Sequence, residues 1–248
     1  MSLRNFLPLT GSEHQLDKMR GKLMNTKGLL DQLFKQGADL LSGKPSAQST
    51  GSSGVGGLLS GKTGAALGGG ALGLLLGSKK GRKLGDKILT YGGLAALGVV
   101  AYKAYSNYQQ QSSAPNAEPQ TLDRLPAPEA EQHSHAILRA IIGAAKADGH
   151  IDDRERELID NEIARLTSDS SLQQWFDAEL RKPLDPADIA RSATTAEMAA
   201  EMYLASVLVV DEENFMERSY LGELARQLKL DPALKAELEQ QARQASAM

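Results

Sequence analysis

From residue 133 to the C-terminus, apolar residues recur at helical spacing, and no stretch alternates as a strand would. "AILRAIIGAAKA" (136–147) is an apolar helix stopped at Gly149. Asp152 caps the next helix, with Glu155 three residues on in a capping-box arrangement, and Leu158, Ile159, Ile163 and Leu166 share its apolar face. Further starts fall at Ser171 with Gln174, Asp185 with Pro186, Thr194 with Glu197, and Asp231 with Pro232. The expectation is an all-α bundle of about seven helices over 133–248, joined by short connections.

The first half is built differently. Residues 1–23 form a polar leader without the apolar core of a signal peptide. In 24–41, Leu29, Leu30, Leu33, Phe34, Leu40 and Leu41 share one face of an amphipathic helix, which could serve as a packing face or a membrane-surface anchor. Residues 42–54 are a Ser/Gly linker.

The segment 55–105 holds two apolar stretches, 64–77 and 88–101, separated by the basic run 79–83. Gly69, Gly73, Gly77, Gly81 and Gly85 repeat at every fourth position, along one helical face. In water each such Gly weakens a helix by roughly 1 kcal/mol relative to Ala. A bilayer offsets that cost, because small residues let helices approach closely and the backbone has no partner except itself. This gives a membrane-associated Gly-rich helical hairpin, with a water-soluble Gly-rich hairpin as the alternative. Residues 88–105 are its expected span, edged by Tyr91, Tyr102 and Tyr105, and the glycine face is open to self-association.

Net charge divides the chain in the same place. Residues 1–110 carry 14 Lys/Arg against 5 Asp/Glu, a balance of +9, and residues 111–248 carry 14 against 26, a balance of −12. With the basic cluster 79–87 held inside, the positive-inside rule sends the acidic half outward, to the periplasm. Residues 106–132, rich in Gln, Ser, Pro and Glu, read as a disordered linker. There is no Cys, so disulfides and thiolate metal sites are excluded.

Two helical hairpins of the acidic half resemble each other. "IIGAAKADGHIDDRERELIDNEIARL" and "YLASVLVVDEENFMERSYLGELARQL" each pass from an apolar helix through an acidic turn into a second helix, so that Asp148 and Glu155 answer Asp211 and Glu217 with a one-residue difference in spacing. The turn "AAKADGHIDDRERELI", its partner "VVDEENFMERSYLGELARQLKLDPAL" and the helix count resemble a tellurite-resistance TerB-like domain. With the Gly-rich half included, residues 24–248 resemble the YebE-type inner-membrane proteins of Gram-negative bacteria, a family of unknown function. The resemblance implies an all-α fold, a membrane-associated role connected with envelope stress, and no catalytic residues. It also implies a candidate metal-binding face at Asp148, Asp152, Glu155, Asp211 and Glu217, although Phe215 and Met216 stand where the first turn has acids.

Other chemistries fit less well. "GGLLSGKT" (56–63) matches the phosphate-loop pattern, with Lys62 in the lysine position. The polar "SAQSTGSSGV" before it cannot be the buried strand such a loop needs, and no apolar run ending in Asp supplies a magnesium carboxylate. An EF-hand framed on Asp148 and Glu155 would put Ala144 and Lys146 at its first and third ligand positions. His133 and His135 lie in or beside the linker and are expected to be solvated, while Trp175 is expected to pack with Phe176. The acidic half lacks the basic and aromatic clusters that bind nucleic acid. The sequence therefore points to a non-enzymatic, membrane-anchored helical module of the bacterial envelope whose partners are the lipid bilayer and a protein. A divalent-cation sensor using the turns 148–155 and 211–217 is the alternative, and a nucleotide hydrolase at 56–63 the remote one.

Overall fold

The computed structural model describes residues 25–41, 94–111, 118–147, 151, 153–210 and 214–247. Among these there are nine helices and no strand: α1 (Thr26–Leu41), α2 (Leu94–Gln111), α3 (Ala127–Ala145), α4 (Asp153–Leu166), α5 (Ser170–Arg181), α6 (Pro186–Ala190), α7 (Ala196–Val209), α8 (Phe215–Gln227) and α9 (Pro232–Ala247). The seven helices expected in the C-terminal half are α3 to α9.

The bundle is organised around α7. Every residue from Met198 to Val209 is buried, so this helix has no polar face and must be covered on all sides. It packs most extensively on α3, then on α2, α9 and α8. Helix α1 lies on α3, with Leu29, Leu30 and Leu33 buried at the contact, so its apolar face is a packing face. The short α6 sits between α3 and α8, and α4 pairs with α5.

Local chemistry explains the helix ends, with two shifts from expectation. Asp169 begins α5, its carboxylate accepting from the Ser171 and Leu172 amides, and Ser171 itself lies inside the helix. Thr195 caps α7 by accepting from the Met198 amide, one residue beyond the expected Thr194. In both cases polar residues one or two positions apart compete for the cap, and the one whose oxygen meets the amides two or three positions on takes it. Asp185 caps α6 through the Ala187 amide, and Asp231 accepts from the Ala233 amide, as expected. Helix α8 stops where Lys229 turns left-handed (φ 55°) and the Leu230 amide returns to the Ala225 carbonyl.

The expected membrane span is corrected. Its described part, from Leu94, belongs to α2, an 18-residue helix carrying Leu94, Ala96, Leu97, Gly98, Ala101 and Ala104 as its buried residues. It lies against α9 and α7. Among the described residues no helix is long and apolar enough to cross a membrane. The apolar face that resembled a lipid surface is a protein contact: Leu94 and Leu97 are fully buried, each contributing roughly 1.5–3 kcal/mol. Without that span, the argument that placed the acidic half in the periplasm loses its basis. Gly69, Gly73, Gly77, Gly81 and Gly85, the stretch 64–77 and the phosphate-loop match at 56–63 lie outside the described residues.

The expected disordered linker at 106–132 is corrected at its described residues, 106–111 and 118–132, while 112–117 lie outside the described residues. Residues 106–111 continue α2, and Asn107 donates to Glu237 of α9 at 2.7 Å. Residues 118–126 form a packed turn, with Pro119, Thr121 and Leu122 buried, and α3 begins at Ala127 rather than near 133. A short polar segment can be ordered this way when the bundle supplies partners for its backbone.

Candidate functional site

The acidic turns are the first place to look for function. Asp148, Asp152 and Asp211 lie outside the described residues, and Glu155 is described only as backbone within α4. Glu217 is placed: it is buried in the first turn of α8, at 8 % exposure. A carboxylate there complements the positive end of the helix dipole. Among the described residues no group of three or more His, Asp or Glu side chains could hold a metal ion.

Beside Glu217 the structure brings out a feature of a different kind. Asn214 caps α8 by accepting from the Met216 amide at 2.9 Å, and this fixes the first turn so that Phe215 and Met216 point outward. Phe215 is 71 % exposed and Met216 56 %; Val99 is the other large apolar side chain exposed among the described residues. In the sequence the acids Asp211, Glu212 and Glu213 stand just before Asn214. The site is thus a pair of adjacent apolar side chains at the end of an acidic segment. The sequence signal was present, since Phe215 and Met216 break the acidic pattern of the twin turn, but their exposure depended on the register of α8.

The buried polar groups behave as structural ties. Glu201 of α7 is completely buried; its Oε2 lies 2.5 Å from Nδ1 of His133 on α3, and its Oε1 accepts the Leu122 amide at 2.5 Å. Burial pushes the Glu201 carboxyl above the usual carboxylate range, and the His133 and Leu122 contacts offset this in part. His133, expected in solvent, is 4 % exposed because α3 starts earlier than its sequence implied.

A second tie centres on Arg139 of α3. Its Nε donates to Glu179 of α5 at 3.1 Å, and its Nη1 donates to the Asp188 carbonyl at 3.1 Å and the Ser192 hydroxyl at 2.9 Å. Its Nη2 pairs with the Asp188 carboxylate, so one guanidinium joins α3, α5, α6 and the loop after α6. His135, also expected in solvent, is half-buried against Trp175 with ring centroids 4.2 Å apart. Burial, then the nearby Arg139 charge, lowers its pKa below the ordinary histidine value. Trp175 therefore packs on His135, while its neighbour Phe176 fills the core.

Comparison with known proteins places this arrangement. A family model described as "Protein of unknown function (DUF533)" matches residues 61–242, and that family is related to the TerB-like superfamily. The chain is also similar to "Uncharacterized protein in ampR 5'region" of Yersinia enterocolitica, at 32% identity over 114 residues that cover 46% of this chain and 82% of that protein. No solved structure matches.

Proposed function

Since the chain belongs to the DUF533 family, whose role is unknown, we propose its function from the bundle's own surface: it is a non-enzymatic interaction module that presents the start of α8 to a protein partner. The partner's contacting segment carries apolar side chains for Phe215 and Met216. The observation that carries this reading is the exposure of Phe215 and Met216 together, 71 % and 56 %; among the described residues Val99 is the other large apolar side chain left exposed. Paired apolar side chains left in water beside charge mark interaction surfaces more often than isolated ones do. The acidic balance of residues 111–248, −12, favours a basic partner by long-range attraction.

A photo-crosslinking residue placed at Met216, and for comparison at exposed Gln174 of α5, tests it in cells. A discrete crosslinked protein from position 216, absent from position 174 and lost with Phe215→Ser, is the expected result. Identical products from both positions would sink the idea.

A place at the bacterial inner membrane is part of the same proposal. With α2 a bundle helix, it now rests on the basic balance of residues 1–110 and the apolar stretch at 64–77. Recovery of the full chain in the soluble fraction after carbonate washing would overturn it.

A further inference from the structure

On the side of the bundle where α1 meets α3, the loop between α6 and α7 closes a cleft of about 360 Å³. That lies within the size range of small-molecule sites. Its floor is apolar, made by Ala136 and Met198; Ser192 and Thr194 put hydroxyls on one lip; Glu131 and His135, one turn apart on α3, form the opposite wall.

The electrostatics of that wall select the sign of a ligand. Glu131 accepts the amides of Thr26 and Lys27 at the start of α1, the latter at 3.1 Å. A carboxylate offers about four lone-pair positions, so two contacts leave acceptor capacity on this cleft-lining side chain. The helix end offsets only about half of its unit charge. Among the described residues no Lys or Arg lines the cleft; Arg139, which reaches its lip by donating to the Ser192 hydroxyl at 2.9 Å, is held between the Glu179 and Asp188 carboxylates, and Lys27 is paired along its own helix with Asp31 at 2.9 Å. His135, held by its contact with Trp175, adds a π-face and, as a neutral imidazole, a further acceptor.

We propose that this cleft is a binding site for a small organic ammonium: a cationic amine set against Glu131 and His135, with an apolar body resting on Ala136 and Met198. An anion of the same shape is rejected by the Glu131 charge. The site is separate from the start of α8 and does not depend on it.

Trp175 is the single tryptophan of the chain, and its contact with His135 makes its emission a reporter of the cleft. The full chain is titrated at neutral pH with phenethylamine and, in parallel, with phenylacetate. A saturable change with the amine and none with the acid is expected. Glu131→Gln removes the wall's charge, together with one of the two amide contacts to α1, and should weaken amine binding about tenfold or more. Thr194→Arg, on the exposed lip, leaves the start of α1 untouched and should abolish binding by filling the cleft with a cation. No saturable response to phenethylamine, an equal response to phenylacetate, or a response that survives Thr194→Arg would each overturn the proposal.

Discussion

At the scale of single residues, the polar groups that matter most are the ones water does not reach. Glu201 sits in the most buried helix of the bundle, and what makes it tolerable there is one imidazole and one backbone amide. Because its folded-state pKa is raised, the folded protein holds a proton that the unfolded chain gives up near 4.5. The stability this group contributes is complete below that ordinary value and is lost as pH rises through the folded pKa. Glu201→Gln keeps an acceptor for the Leu122 amide but cannot ionise. Urea unfolding at a series of pH values should find the variant gaining on the wild type as pH rises above 4.5, and a difference independent of pH would refute the assignment. Neither His133 nor Glu201 stands out in the sequence, because a histidine near a polar segment looks solvated until the helix start is known.

At the scale of elements, α2 is held by a backbone contact as well as by apolar burial. A Cβ on Gly98 would stand 2.8 Å from the Asp123 amide nitrogen and 2.7 Å from the Asp123 carboxylate. The 118–126 turn therefore rides directly on the helix backbone, and Arg124 lies over the Tyr102 ring, 3.8 Å from its centroid. Alanine elsewhere in a helix would add roughly 1 kcal/mol over glycine. Here the clash is with backbone, which cannot swing aside, and overpacking costs about 1–3 kcal/mol. Gly98→Ala should thus lower Tm despite its better helix propensity; an unchanged or raised Tm would show that the turn is not seated there. Gly98 of α2 serves a close approach, and the surface approached is the chain's own 118–126 turn.

At the scale of the whole molecule, the bundle reaches well beyond the boundary its helical patterning marks at 133. A fragment of 133–248 lacks α2, the 118–126 turn and the first turns of α3. It uncovers the faces of α7 and α9 against which α2 packs and removes the Leu122 partner of Glu201. A fragment of 94–248 keeps them all. In thermal unfolding the longer fragment should melt cooperatively and the shorter one should be much less stable or aggregate, since it exposes an apolar face to water. Equal melting temperatures would mean that α2 is not part of the cooperative unit.

The helices from α3 to α9, their all-α class and the starts of α6 and α9 were legible in the sequence, with those of α5 and α7 legible to within two residues, because period and capping are local properties set by side chains a few residues apart. The apolar face of α1 was legible for the same reason, in Leu29, Leu30 and Leu33. Which surface each apolar face meets is not a local property. An apolar, small-residue helix such as α2 satisfies its own backbone equally well against lipid or against α7 and α9, and only the packing of distant segments chose between them. The same holds for site residues: the acidic turns could be read along the chain, but the exposure of Phe215 and Met216, the burial of His133 and the cleft walled by Glu131 and His135 arise between elements far apart in sequence. Burial and proximity are set by the sum of tertiary contacts, and that sum exists only once the chain has folded.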